Sequence, residues 1–211
     1  MMLALLHTSP AHVPVFDALR DSDHPGLVLR HVVAEELLGR ARIEGPEAVA
    51  DAVEAALEDV VAEGAAAVLC TCSTLGEVAE KAGRALGVPV LRVDRPMAAA
   101  AAEAGRVVVV ATVESTLEPT LTLIREEAAG RPVDLRTVLV DGAWERFEAG
   151  DLDGYLDAVA ASVDAVVAAD VIVLAQASMA GAADRAATTV PVLSSPRPGL
   201  NAAAVAAAAL S

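Results

Sequence analysis

Short apolar runs alternate with longer amphipathic stretches along the whole chain. Runs rich in Val, Leu and Ala at 2–7, 27–33, 66–71, 88–93, 107–111, 134–140, 171–175 and 190–194 predict strands. Between them the apolar spacing changes to that of helices. The stretch 46–63 sets Val49, Val53, Leu57, Val60 and Val61 on one face, with Pro46 in its first turn, where a missing N–H is tolerated. The stretch 151–169 does the same with Leu156, Val159, Val163, Val166 and Val167. A last helix is expected over 198–210. Strands alternating with helices predict parallel sheets wound on both faces.

The pattern is also written twice. "LALLHT" at 3–8 answers "VVVVAT" at 107–112, and "LRHVV" at 29–33 answers "LRTVL" at 135–139. "VLCTCST" at 68–74 answers "VLAQASM" at 173–179, and "VPVL" recurs at 88–91 and 190–193. Arg95-Pro96 answers Arg197-Pro198. The offsets lie between 102 and 106 residues. The expected architecture is α/β: two pseudosymmetric Rossmann-like lobes, each a parallel sheet of about four strands flanked by helices, with a site in the cleft between them. The boundaries are 1–96 for the first lobe and 97–194 for the second, with a C-terminal helix, 195–211, packing back on the first.

Composition narrows the function. The 211 residues are 55% hydrophobic and 2% aromatic, so the core must be built from Ala, Val and Leu. A formal net charge of -15, with no basic cluster, disfavours nucleic acid and anionic membrane as partners. "MMLALLHTSP" lacks a positive leader region and reads as a first strand, not a signal peptide. No run approaches the length of a membrane helix. Cys70 and Cys72 are the two cysteines, too close for an ordinary structural disulfide. A reduced, cytoplasmic protein is expected. No metal site is indicated, because C-x-C without further ligands falls short of a four-ligand zinc set. Neither a dinucleotide fingerprint nor a phosphate loop is present, so no nucleotide cofactor is expected.

Ligands of open parallel sheets bind at the carboxyl ends of strands, beside the switch in strand order. In a 2-1-3-4 order that point carries His7, Thr8 and Ser9 after strand 1, and Cys72, Ser73 and Thr74 after strand 3. The second-half counterparts are Thr112, Ser115 and Thr116, then Ala177, Ser178 and Met179. Cys70 should lie inside its strand as a small core residue. Cys72 falls at the mouth of a helix, where a thiol pKa drops and the thiol becomes an acid/base or nucleophile. His7 either partners that thiol or hydrogen-bonds locally. His12, His24 and His31 are read as surface or loop residues.

These stretches, "HTSP", "CTCSTLG", "VVVVATVESTLEPT" and "VLAQASMAG", resemble the aspartate/glutamate/hydantoin racemase superfamily across nearly the whole chain. The resemblance implies two lobes and cofactor-independent proton transfer at the carbon next to a carboxylate of a small amino acid or related acid. It implies catalysis by a cysteine from each lobe. The first falls on Cys72. Carboxylate-binding positions fall on Thr8, Ser9, Ser73, Thr74, Thr112, Ser115, Thr116 and Ser178. The second cysteine's place is expected at Ala177, so the second base is lost. The resemblance therefore leaves open a single-cysteine decarboxylase, a maleate-type cis–trans isomerase, and a carboxylate-binding protein without catalysis. It also implies a homodimer.

Overall fold

The structure, a computed structural model, describes residues 2–209. The chain divides into two compact units, Met1–Val93 with Pro196–Ser211, and Asp94–Ser195.

In the first unit the elements run β1 (Met2–His7), α1 (His12–Asp23), β2 (Val28–Val33), α2 (Glu35–Glu44), a 3₁₀ turn at Pro46–Val49, α3 (Ala50–Ala62), β3 (Ala67–Cys70), α4 (Gly76–Leu86) and β4 (Val90–Arg92). The second unit carries α5 (Arg95–Ala101), β5 (Arg106–Ala111), a 3₁₀ turn at Glu114–Thr116, α6 (Leu117–Ala128), β6 (Asp134–Leu139), α7 (Ala143–Glu148), α8 (Leu152–Asp164), β7 (Val171–Leu174), a 3₁₀ segment at Ala177–Ala182 and β8 (Val192–Leu193). The last helix, α9 (Pro196–Ala208), belongs to the first unit.

Each unit holds one four-stranded sheet, in the orders β2-β1-β3-β4 and β6-β5-β7-β8, and every pairing is parallel. The two-sheet α/β architecture expected from the alternation is the one observed. Its cause is visible in the central strands. β1, β3, β5 and β7 are covered on both faces, so they read as unbroken apolar runs. Leu3 and Leu5 face Phe16 and, on α9, Leu200 and Ala203. Ala4 and Leu6 face the opposite side, with Leu57, Val60, Val68 and Cys70. In the second unit Val107 and Val109 pack with Leu123 and Ile124, while Val108 and Val110 pack with Tyr155, Val159 and Val163. Period-two alternation sorts each strand between two cores.

The last helix packs on α1, β1, β3 and β4. Arg197 pairs with Asp23, and His24 Nε2 meets Asn201 Oδ1 at 2.8 Å. Gly199 sits directly against the Val93 backbone, where a Cβ would collide.

Three expectations are revised. β4 and β8 are shorter than 88–93 and 190–194. Pro89 and Pro191 accept from Val68 and Ile172 but have no N–H to return to the ladder. The helix expected over 151–169 stops at Asp164. Asp164 Oδ1 instead accepts from the Ala187 and Thr188 amides, and Val167 is 73% exposed. The third change bears on the site. α4 follows β3, but only six residues of 3₁₀ follow β7. Within 177–189 Met179 is the sole apolar side chain larger than alanine, so an α-helix there would have little to anchor it. No helix among the described residues is long and apolar enough to cross a membrane.

Candidate functional site

In the first unit the carboxyl ends of β1 and β3 lie side by side, with Leu6 opposite Cys70. Backbone and side chain of Thr71 both donate to the Leu6 carbonyl, the hydroxyl at 3.1 Å. Because that hydroxyl gives its proton to Leu6, the 2.8 Å bond between His7 Nδ1 and Thr71 Oγ1 must have His7 as donor. His7 Nε2 is then a lone pair and accepts from His31 Nδ1 at 2.8 Å. His31 Nε2 lies 3.4 Å from Asp17 Oδ1. The His7 and His31 rings stack at 5.1 Å, with His12 and Phe16 beside them. Burial drives the His7 imidazole down from 6.5 to about 3, helped by the neighbouring His12 and His31; burial alone takes His12 to about 4.

Neither nitrogen of His7 is therefore available to the thiol. The reason is the strand period. His7 projects to the face of Leu3 and Leu5, whereas Cys72 joins Leu6, Cys70, Leu75 and Val78 on the other. His12 and His31, read from sequence as surface residues, belong instead to this packed group; His12 is buried and its Nδ1 has no partner. Among the described residues no three His, Cys, Asp or Glu side chains come together as a metal set.

Cys72 lies in the turn that leads from β3 into α4 and is 7% exposed. Its carbonyl accepts from the Leu75 amide and from the Cys70 thiol, the latter at 3.6 Å. Both cysteines are free thiols. Cys70 is fully buried. Thr8, Ser73 and Thr74 are buried around the same strand ends, and Thr74 Oγ1 has no hydrogen-bond partner. Ser9 accepts from the Ala11 amide at 3.3 Å, closing the turn before α1. Arg92 is a site neighbour that the sequence reading passed over. It pairs in register with Cys70 at the end of β4, is buried, and lies so close to Gly76 that a Cβ there would strike its guanidinium. Its signal was a lone cation in the apolar run "VPVLRV".

In the second unit Thr112 ends β5. Its amide donates to Gln176 Oε1 at 2.8 Å, which leaves Gln176 Nε2 to donate to Thr112 Oγ1, also at 2.8 Å. Tyr155 OH stands 2.8 Å from Ser178 Oγ and 3.4 Å from Thr112 Oγ1. Thr116 Oγ1 donates to the Val113 carbonyl at 2.5 Å, whereas Ser115 Oγ is buried without a partner.

Strand register relates the two sites residue by residue. Leu6 lies opposite Cys70 as Val110 lies opposite Leu174. The Thr71 amide donates to Leu6 as the Ala175 amide donates to Val110, and Leu75 to Cys72 as Met179 to Gln176. Gln176, not Ala177, therefore holds in the second unit the place that Cys72 holds in the first. Ala177 corresponds to Ser73, and Ser178 to Thr74. The sequence match was one residue out because it followed the repeated Val-Leu pair, whereas register is set by the neighbouring strand. At that place Gln176 presents a carboxamide, which does not titrate and is bound at both ends by Thr112.

The family model for Asp/Glu/hydantoin racemase matches residues 14–208. A comparison with curated protein sequences gave no match. Among solved structures, the aspartate racemase of Picrophilus torridus superposes with a TM-score of 0.73 at 12% identity, covering 98% of this chain and 94% of that one. The glutamate racemase of Thermus thermophilus, in complex with beta-chloro-D-alanine, gives 0.70 at 20% identity, over 98% and 80% of the two chains. A variant of arylmalonate decarboxylase in a sulfate-associated form gives 0.65 at 21% identity, over 100% and 95%.

Proposed function

The chain belongs to the Asp/Glu/hydantoin racemase family, and from that premise we propose that it moves a proton, without a cofactor, at the carbon next to a carboxylate of a small acid, with Cys72 as the acid/base. One observation carries this reading. Two residues after Cys72, in the same turn between β3 and α4, the buried hydroxyl of Thr74 has no hydrogen-bond partner in the protein. Buried hydroxyls are rarely left unpaired, and a ligand oxygen would satisfy this one. Ser115 Oγ repeats the feature in the second unit. Thr8, Ser9, Ser73, Thr112, Thr116 and Ser178 complete the proposed carboxylate-binding set. The working form is proposed to be a cytoplasmic homodimer.

The second reading is a one-directional reaction such as decarboxylation. Gln176 favours it, because a carboxamide held by Thr112 cannot remove a proton. Racemisation needs an acid/base for each face of the carbon, whereas protonation after loss of CO₂ needs one.

The test is turnover of D- and L-aspartate, D- and L-glutamate, and phenylmalonate in D₂O. Chirality and α-deuterium are read together. Cys72→Ser is expected to lower turnover by about 10²–10⁴-fold, the usual contribution of a general acid/base. Cys70→Ser should keep the activity. A Cys72→Ser variant as active as the parent would falsify the proposed role.

A further inference from the structure

We propose that Arg92 is a positioning residue whose buried guanidinium, together with the N-terminal end of α4, holds Cys72 as the thiolate. The catalytic use of that thiolate rests on the racemase-family reading above; the charge state of Cys72 concerns the first unit alone. A free thiol ionises near 8.5, so about a few per cent of it would be thiolate at neutral pH. A group that is to take a proton needs a neighbour that shifts this balance. The histidines of the first strand do not serve. His7 and His12 are kept neutral, and His7 projects to the face of Leu3 and Leu5, away from Cys72.

Three observations place Arg92 in that role. Among the described residues it is the only arginine or lysine that is buried, so water screens its charge little. It ends β4 in register with Cys70 of β3, and paired residues of a parallel ladder project to the same side, here the side of Cys70, Cys72 and Leu75. Its Nε also lies 2.5 Å from the point where a Gly76 Cβ would stand, in the first turn of α4. Gly76 thus leaves room for the guanidinium. The chain passes from Cys72 to Gly76 in a single turn, with the Leu75 amide donating to the Cys72 carbonyl at 3.2 Å. One turn advances about 5 Å, which sets the guanidinium on the order of 8 Å from Cys72.

The cation and the helix end act in the same direction. α4 has no side-chain cap, so its first amides present partial positive charge to the turn that carries Cys72. A unit charge roughly 8 Å away, at an effective dielectric of about 20, moves a pKa by about one unit. The charge of Arg92 registers on the same turn of α4: the Glu77 carboxyl is held low chiefly by Lys81, and Arg92 adds to it. Lys81 itself is spent on Glu47 and Glu77 at the surface. Glu80 and Arg84 lie farther along α4, and α2 and α3 turn apolar residues toward Cys72. Buried Asp94, two residues past Arg92, is the opposing charge. The proposal requires that Arg92 prevail over it at Cys72.

The test titrates the thiolate by its ultraviolet absorbance in full-length Cys70→Ser protein, where Cys72 is the only thiol. The same background then carries Arg92→Met, Arg92→Lys or Gly76→Ala. No substrate is needed. Cys72 in the parent is expected to ionise about one unit or more below 8.5. Arg92→Met, which removes the charge and keeps the length, should raise that midpoint by about one unit, a loss of about tenfold in thiolate below it. Arg92→Lys should reverse most of the shift. Gly76→Ala pushes the guanidinium off α4 and should raise the midpoint by about a few tenths of a unit; it decides the matter if Arg92→Met does not fold, an unmoved midpoint then overturning the proposal. A merely structural Arg92 would not separate Lys from Met in the titration. The proposal is overturned if the parent midpoint lies at 8.5 or above, if Arg92→Met leaves it unmoved, as cancellation by Asp94 would, or if Lys and Met shift it equally. For any substrate of the aspartate, glutamate and phenylmalonate panel that is turned over, the acid limb of kcat/KM should move up with the thiol midpoint in Arg92→Met. An active Cys72→Ser defeats the family reading, whereas the titration reads the role of Arg92 independently of it.

Discussion

The carboxyl end of the third strand is built twice with the same backbone hydrogen bonds and different chemistry. In the first unit it presents a thiol, Cys72, on an apolar floor of Leu6, Cys70 and Leu75. In the second it presents a carboxamide, Gln176, tied at both ends to Thr112. The first arrangement can exchange a proton. The second can only hold dipoles in place, and Tyr155, which reaches Thr112 Oγ1, has its pKa held above its ordinary value by burial. The two units share this backbone frame and differ in the functional groups it carries. One unit presents a thiol at this place, and the other a carboxamide.

The ends of the first strands differ as sharply. The sequence has four histidines, and all of them, His7, His12, His24 and His31, lie in the first unit. His7 and His12 are held neutral, down to about 3 and about 4. In the unfolded chain each would titrate near 6.5. As pH falls below 6.5 the unfolded state binds protons that the folded state refuses, so stability is lost progressively toward pH 3. This is the largest effect expected here, on the order of 2–5 kcal/mol by pH 4. Urea unfolding at pH 7 and pH 4.5 checks it. His12→Phe, which removes the Nδ1 that has no partner, should flatten the dependence. A stability unchanged between those pH values would remove the histidine contrast between the units.

Much of the fold was legible because the central strands are buried on both faces, and burial on both faces writes continuous apolar runs. The repeat carried the equivalent strand orders for the same reason. What failed was whatever depends on a neighbouring element. The residues of 177–182 carry no local mark separating a 3₁₀ segment from an α-helix; the difference lies in how little of the stretch can be anchored by burial. His12 and His31 read as surface or loop residues because the group they pack into is assembled from β1, β2 and α1. Matching "VLC" to "VLA" sets Ala177 against Cys72 because the Val-Leu pair recurs one residue out of step with the strands. Carrying the 104-residue offset of the strand-1 match through to Cys72 lands on Gln176. The position of Cys72, just past β3 in the turn into α4, was legible because the apolar run of the strand ends at Cys70.

The register can be tested directly by moving the thiol. Gln176→Cys places a sulfur where the second unit corresponds to Cys72, and Ala177→Cys places one at the position corresponding to Ser73. Interconversion of the two enantiomers of a substrate is expected to rise about 10²-fold in Gln176→Cys, the lower end of what a general acid/base contributes. Ala177→Cys should give no rise. Loss of the carboxamide leaves the Thr112 amide unpaired, so Gln176→Cys should also lower stability by about 1–3 kcal/mol. A gain in Ala177→Cys alone would return the second-base position to Ala177 and break the correspondence drawn from the strands.

The smallest expected effect separates Thr74 from its counterpart Ser178. Both are hydroxyls two residues beyond the site position, yet Thr74 Oγ1 is buried without a partner while Ser178 Oγ is bonded to Tyr155. Leaving a buried polar atom unpaired costs about 1–3 kcal/mol, whereas removing it by an isosteric apolar group relieves that cost. Thr74→Val keeps the shape and removes the hydroxyl, so it should stabilise the protein by about 1 kcal/mol. Ser178→Ala leaves the buried phenol only its longer, 3.4 Å bond with Thr112 and should destabilise by a similar amount. If Thr74 serves a ligand oxygen, the same Thr74→Val variant should raise KM several-fold while raising Tm. Thermal unfolding and steady-state kinetics on the two variants supply both readings. A Thr74→Val protein that is less stable than the parent, with KM unchanged, would mean that the Thr74 hydroxyl is satisfied within the folded chain and takes no part in binding.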